Sequence, residues 1–237
     1  MKIIDIHSHL LFGVDDGARS LEESAAMLDE AAKQGIEAMI LTPHFRGGMF
    51  PYPKGRIREH FERLLPEAQK RGIRIYLGCE YHVDSSMVEH LKNGRCSTMA
   101  DSEYVLAEFS YGSDIADITE QVRLLLCCGY IPVIAHVERY DCILKHPEGA
   151  AHLRKMGAMV QINAGAVLGQ EGYQARRCCK RLLKNGWADV VASDCHNTDR
   201  RNNRLGECYQ HIAKKYGEDY AGKLFWDNPA KLIPDKS

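Results

Sequence analysis

The chain has 237 residues, 45% of them hydrophobic, and its 31 Lys and Arg nearly balance 32 Asp and Glu, for a formal net charge of −1. That apolar share is enough for a substantial core and excludes a disordered chain, and the charge balance provides no general field for nucleic acid or an anionic membrane. No run reaches the roughly 18 apolar residues of a membrane span and the start has no apolar leader, so a cytoplasmic protein is expected. The nine cysteines form no Cys-x-x-Cys, and an odd number cannot pair completely within one chain, so reduced thiols are expected.

Ile3 to Ile6 is a predicted strand that runs into His7-Ser8-His9. A strand's period of two puts both imidazoles on one side of the backbone, where two nitrogens can serve one metal ion. Leu10 to Arg19 is expected as a loop, and Ser20-Leu21-Glu22-Glu23 is a capping-box sequence opening a helix to Lys33 that stops at Gly35. Ala38 to Leu41 follows as a buried strand ending at Thr42-Pro43-His44. A Gly/Pro-rich loop from Phe45 to Gly55 precedes a helix from about Ile57 to Lys70, and Ile73 to Leu77 is a third strand ending at Gly78-Cys79-Glu80. Tyr104 to Phe109 is a fourth strand and carries Glu108.

The second half repeats this order. A helix up to Gly129 leads to strand Ile131–Ala135 and His136, and a helix from about Pro147 to Met156 leads to strand Met159–Asn163. Another helix, from about Gln174 to Asn185, leads to strand Asp189–Ala192 and then Ser193-Asp194-Cys195-His196. Two short helical stretches and Asn228-Pro229 close the chain. Seven strands alternating with helices call for parallel strands with crossover helices, as one α/β barrel or an open sheet. His7, His9, His44, Glu80, Glu108, His136, Asp194 and His196 all fall at or just past the carboxyl end of a predicted strand. In a barrel those ends share one face, where active sites are built.

The motifs His7-Ser8-His9, Val14-Asp15-Asp16-Gly17, Thr42-Pro43-His44, Cys79-Glu80, Ala107-Glu108-Phe109, Ala135-His136-Val137-Glu138-Arg139 and Ser193-Asp194-Cys195-His196 resemble the PHP (polymerase and histidinol phosphatase) metallo-phosphoesterases. Among these, the match is closest to the manganese-dependent protein tyrosine phosphatases of bacterial capsule and exopolysaccharide operons. The resemblance implies one domain over residues 1–237, a distorted (β/α)7 TIM-like barrel, and three divalent metal ions at the C-terminal ends of its strands. Manganese is the implied metal, with iron, zinc or magnesium compatible with the same ligand set. Carried over position by position, His7, His9, Glu80 and Asp194 would hold one ion. Glu80 would bridge to a second, shared with Glu108 and His136, and Asp16, His44 and His196 would hold the third. Arg139 and Arg201 stand where the family places phosphate-contacting arginines, and Arg200 leaves open which of the neighbouring pair faces the phosphate. The implied partner is a phosphotyrosine protein, a bacterial tyrosine kinase with a tyrosine-rich tail.

The chemistry is consistent with that resemblance. Asp16, Glu80, Glu108 and Asp194 bring four negative charges, so three divalent ions would leave the cluster at about +2, matched to a phosphomonoester dianion. Water activated by the ions would attack phosphorus in line, with Arg139 and Arg201 on the phosphate oxygens and His196 or a metal-bound water as proton source. Arg46-Gly47-Gly48-Met49-Phe50 and Tyr81, Tyr111 and Tyr140 are candidates for an open mouth around an aryl phosphate. Three other readings stand beside this one. Cys195 and Arg201 have the Cys-x5-Arg spacing of cysteine-nucleophile phosphatases, although no glycine lies between them. A small-molecule phosphatase of the histidinol-phosphate type would share the cluster, and a non-catalytic PHP-like module would need no complete ligand set.

Overall fold

The structure is a computed structural model and describes residues 2–234. Among these residues run β1 (Ile3–Ser8), β2 (Ile36–Leu41), β3 (His44–Phe45), β4 (Arg74–Leu77), β5 (Glu80–His82), β6 (Tyr104–Glu108), β7 (Ile131–Ile134), β8 (Met159–Asn163) and β9 (Val190–Ala192). All their pairings are parallel, in the orders β1-β2-β4 and β3-β5-β6-β7-β8-β9. The two short strands β3 and β5 were not expected. They arise because the second and third predicted strands break and restart, at Pro43, which has no N–H for the ladder, and at Gly78. A Cβ on Gly78 would lie 2.9 Å from Ile40 Cγ2, so the neighbouring strand's closeness requires glycine there. Bonds from Thr42 N to Ser8 O (2.9 Å), Gly78 N to Leu41 O (2.8 Å) and Glu80 N to Pro43 O (3.2 Å) carry the pairing across both breaks.

β2 with β3, and β4 with β5, are therefore successive halves of single staves, and seven staves follow one another in chain order. The first meets the last through a parallel Ser8–Cys195 bridge, with His9 N bonded to Cys195 O and Asp194 N to His7 O, both at 2.9 Å. This is the distorted seven-stave α/β barrel that the motifs implied.

Strand alternation divides the apolar residues into two cores. Ile4, Ile6, Ile40, Leu106, Val133 and Val190 fill the barrel interior, closed below by Met99, Ala100 and Leu232. Ile3, Met39, Val105, Ile134, Val160 and Val191 face outward and pack under the helices. The principal helices are Leu21–Lys33, Lys54–Lys70, Ile115–Cys127, Glu148–Met156, Tyr173–Lys184 and Leu205–Tyr216. The second begins three residues before the expected Ile57, and a six-residue helix, Met87–Lys92, was too short to register as a periodic pattern. The Ser20 hydroxyl caps the first helix by accepting from Glu23 N at 3.3 Å. The return arm of the expected box has slid by one residue: Glu23 accepts from Arg19 N (2.8 Å) and Arg19 Nε (2.9 Å), because Arg19 adds a cationic fork to a backbone donor.

Candidate metal centre

The barrel's inward positions are apolar at the bottom and change character toward the carboxyl ends. On β6, Leu106 is followed two residues on by Glu108; on β8, Gln161 by Asn163; past β9, Ala192 by Asp194. On β1 the same parity would turn His7 outward, with Ile3 and Asp5. A bulge prevents this: the β1–β2 register moves from Asp5↔Met39 to Ser8↔Leu41, placing one extra residue on β1. Such a bulge re-aims the side chains beyond it, so His7 and His9 enter the mouth together. His136 (φ 30°) and Asp194 (φ 51°) both adopt the left-handed backbone region. That conformation costs a non-glycine residue about 1–2 kcal/mol and is held here by the pairing on either side. The Asp15-Asp16-Gly17 turn folds directly onto His9; a Cβ on Gly17 would lie 1.9 Å from His9 O.

Glu80 is the hub. Its Oε2 lies 3.2 Å from His7 Nε2, 3.1 Å from His9 Nε2 and 2.9 Å from His44 Nδ1, while Oε1 lies 2.9 Å from His136 Nε2. Glu108 Oε1 is 3.7 Å from His136 Nε2. Asp194 Oδ1 is 3.5 Å from both His7 Nε2 and His9 Nε2, and Asp16 Oδ1 is 3.3 Å from His196 Nε2 and 3.5 Å from His44 Nε2. All nine sequence-predicted ligands are thus gathered in one space. Three groups within it have atoms close enough to share an ion: His9, Asp16, His44 and His196; His7, His9 and Asp194; and His44, Glu80 and Glu108. These groups cut across the expected three-ion division, with His9 and His44 each in two of them.

A second layer, which the motifs did not reveal, fixes which nitrogens face inward. His9 Nδ1 donates to Asp15 Oδ2 at 2.7 Å, and Asp15 also accepts from Gly17 N and His44 N. Gln161 Oε1 accepts from His136 N at 2.9 Å, which identifies it as the oxygen and makes His7 Nδ1, 3.1 Å away, a donor to it. His196 Nδ1 donates to Asp194 O at 3.0 Å. In its neutral, metal-binding form each of the three rings therefore presents its Nε2 lone pair to the carboxylate oxygens around it. His7 Nε2 and His9 Nε2 stand only 3.3 Å apart. His44 Nδ1, Glu80 Oε2 and His196 Nε2 are buried and make no well-directed hydrogen bond among the described residues, although the first two are 2.9 Å apart. An acceptor-only convergence of this kind fits a cation, and carboxylate–histidine pairs of the Asp15–His9 type orient metal ligands. Asp15→Asn is expected to weaken metal binding about 10–100-fold with little change in fold, measured by metal titration; unchanged affinity would remove Asp15 from this role.

Asp5 braces the other side of β1, accepting from Ser193 Oγ (2.6 Å), Ser193 N (3.1 Å) and Asn203 Nδ2 (3.0 Å). Burial raises the Asp5 carboxyl above its ordinary range despite these bonds. In the mouth, burial pushes His9 down, but Asp15 and Glu80 overturn this and hold it well above an ordinary histidine. Burial works against Asp194 too, yet His7, Arg139 and Arg201 keep it well below the usual carboxylate range. His196 is lowered to about 4, by burial first and the His9 charge second.

A cavity of about 430 Å3 opens above these residues, lined also by Arg46, Met49, Phe50, Tyr111, Arg139 and Arg201. Arg139 Nε bonds Glu171 Oε2 at 2.8 Å and Nη1 reaches Asp194 Oδ2 at 2.9 Å; its neighbour Glu138 accepts instead from Asn163 N. Arg201 Nη2 lies 3.1 Å from both Asp194 oxygens, while Arg200 lines the adjacent hollow. Met49 and Tyr111 are 60% and 55% exposed at the rim, and Phe50 stacks on His44 at 5.0 Å. Tyr81 and Tyr140 are not part of the mouth. Both are buried, Tyr81 bonded to Asp84 and His90, Tyr140 to Ala135 O and Phe109 N, because each phenol found a partner inside the fold. Cys195 is buried and its thiol is pushed up to about 12, mainly by burial, which removes the thiolate that a cysteine mechanism requires.

A parallel α/β barrel whose carboxyl end gathers histidines and carboxylates around an acceptor-only centre is the arrangement of a metal-dependent hydrolase. The chain belongs to the capsular polysaccharide synthesis family CpsB/CapC, whose family model matches residues 3–234. It is 37% identical to the tyrosine-protein phosphatase CpsB of Streptococcus pneumoniae over 99% of both chains. A crystal structure from work on YwqE of Bacillus subtilis and CpsB of S. pneumoniae, described as unique metal-dependent tyrosine phosphatases, superposes with a TM-score of 0.91 at 30% identity, covering 99% of this chain and 96% of that one. The lactonase Lmo2620 of Listeria monocytogenes shares the fold alone, at 14% identity and a TM-score of 0.65 over 99% of this chain and 95% of that one.

Proposed function

We propose that this protein is a metal-dependent protein tyrosine phosphatase of capsular or exopolysaccharide synthesis, acting as a single cytoplasmic domain on a phosphotyrosine protein. No described helix is long and apolar enough to cross a membrane. The partner we infer is a bacterial tyrosine kinase with a tyrosine-rich tail. His7, His9, Asp16, His44, Glu80, Glu108, His136, Asp194 and His196 would hold three divalent ions, manganese first and iron, zinc or magnesium on the same mixed donor set. Bound there, the ions supply an ionised water nucleophile at neutral pH and neutralise phosphoryl charge.

The protein's own groups do the rest. Arg139, held by Glu171 at Nε and Asp194 at Nη1, would meet the phosphate oxygens together with Arg201; Arg46 lines the same cavity. Met49, Phe50 and Tyr111 offer apolar surface to an aryl ring. A phenol leaving group, with a pKa of about 10, needs little protonation, so no strongly placed general acid is required. The observation that carries the chemistry is that the Nδ1 atoms of His7, His9 and His196 are each committed to an oxygen acceptor, which leaves the Nε2 atoms, aimed at carboxylate oxygens, as the ligand atoms of the neutral rings. The choice of phosphotyrosine is supported by relatives named tyrosine-protein phosphatase that match 99% and 92% of this chain.

Purified protein with Mn2+ is expected to release phosphate from a tyrosine-phosphorylated peptide, and EDTA to abolish that release. Histidinol phosphate serves as the control substrate. Turnover of histidinol phosphate alone would move the function to small-molecule metabolism, and EDTA-resistant turnover would refute the metal centre.

A further inference from the structure

The helix Tyr173–Lys184 carries Arg176, Arg177, Lys180, Arg181 and Lys184 and no acidic residue, in a chain of net charge −1. Several surface cations elsewhere are matched one to one, among them Arg19 with Glu23, Arg71 with Asp29, Arg123 with Glu120, Arg154 with Asp189 and Arg204 with Glu207. Arg176, Arg177, Lys180 and Lys215 form no ion pair among the described residues, and Arg181 reaches Glu148 only at 4.0 Å. The first three line a groove of about 400 Å3 together with His211 and Lys215 of the helix Leu205–Tyr216. Burial and the charges of Lys215 and Arg176 hold His211 below its ordinary value against the pull of Glu207, as expected where cations converge. Arg177 continues into a neighbouring hollow of about 460 Å3, past Tyr173, which is 76% exposed.

This groove adjoins the metal centre through one segment. Val167 lines the groove, while Gly165, Gln170 and Glu171 line the hollow that holds Arg139, Arg200 and Arg201. Arg176 lies across Gly169, where a Cβ would come within 3.0 Å of its Cδ. A polypeptide leaving the catalytic mouth beside Arg200 therefore meets a second set of unmatched cations after crossing residues 165–171.

We propose that the groove docks an acidic stretch of the phosphoprotein substrate that flanks the phosphotyrosine in its chain. The proposal rests on the protein-substrate reading above. Like charges left close together repel, and an acidic segment relieves that repulsion at each contact; exposed contacts of this kind weaken with salt. An extension of about ten residues spans up to about 35 Å, the reach given to the peptides below.

The test compares three phosphotyrosine peptides sharing one core: short, extended by about ten neutral residues, and extended by about ten residues rich in Asp and Glu. With wild-type protein and Mn2+, the acidic extension is expected to lower KM about tenfold at unchanged kcat, an advantage erased at high salt. The triple variant Arg176→Glu/Arg177→Glu/Lys180→Glu should lose the advantage yet process the short peptide as wild type does. The milder Arg176→Gln/Arg177→Gln/Lys180→Gln variant covers the case of a misfolded charge reversal. Fluorescence anisotropy of the labelled, unphosphorylated acidic extension reads the docking without catalysis, so failure of the phosphatase reading leaves this arm decisive. Equal KM for acidic and neutral extensions, or an advantage that survives in both variants, would overturn the proposal. So would sedimentation with phosphatidylglycerol vesicles that needs these cations while the peptides are not distinguished, since the groove would then serve a membrane surface.

Discussion

The Glu80→Gln variant is expected to lose metal-dependent phosphate release by at least about a hundredfold while keeping its fold. The substitution conserves shape but removes the one charge that four histidines share, and it places an amide N–H2 where oxygen lone pairs are needed. Both carboxylate oxygens face histidine nitrogens, Oε2 toward His7, His9 and His44 and Oε1 toward His136, so either orientation of the amide removes one ligand oxygen from the centre. In the protein alone, burial opposes the Glu80 charge, yet His7 and His44 keep its carboxyl well below the ordinary range. Held ionised in this way, the Glu80 carboxylate is the negative charge that a divalent cation would meet when the histidines bind neutral. Wild-type protein should gain about 2.7 kcal/mol of apparent stability at a metal concentration a hundredfold above Kd. In Glu80→Gln that gain should shrink, read as a smaller metal-induced rise in Tm and a lower metal content per chain. A variant with full metal content and wild-type turnover would take Glu80 out of the centre.

How much of this centre was legible in the sequence follows from where its parts lie in the chain. His7 and His9 are two residues apart on an apolar strand, and Glu108, His136 and Asp194 each end one, so composition at strand ends exposed eight of the nine predicted ligands, while Asp16, in a loop, came only from the family resemblance. The bulge that aims His7 inward leaves no trace in composition, since one extra residue on β1 looks like any other residue. Asp15 was passed over beside Asp16 because two adjacent acids cannot be told apart until one is found bonded to a histidine ring. Gln161 and Asn163 carried a signal that could have been used: two amides at alternate, inward positions of an otherwise apolar strand must be bonded to something buried. The aromatics failed for the opposite reason. Tyr81 and Tyr140 follow predicted site motifs closely in sequence, yet a phenol's preference for an interior partner decided their orientation.

Arg139→Lys should cost at least about a hundredfold in kcat/KM on a short phosphotyrosine peptide and recover little of what Arg139→Ala loses, even though the charge is kept. Arg139 already spans two carboxylates, Glu171 through Nε and Asp194 through Nη1, and each bond uses one edge of a planar fork. Those bonds fix the guanidinium at the wall of the cavity that Arg139 lines with Arg46 and Arg201. A lysine ammonium can satisfy Asp194 or reach a phosphate, but its single point of charge does not do both. Asp194 retains Arg201, 3.1 Å from each of its oxygens, so the variant should keep most of its metal. The loss should therefore appear in turnover and in weaker inhibition by inorganic phosphate, with metal content near wild type. Glu171→Gln separates the two duties: it loosens the Nε side of the fork while leaving Asp194 paired, and should lower kcat/KM by about tenfold or less. If Arg139→Lys instead lost metal and activity together while phosphate inhibition stayed unchanged, Arg139 would be a support for Asp194 and Arg201 would be left as the phosphate contact.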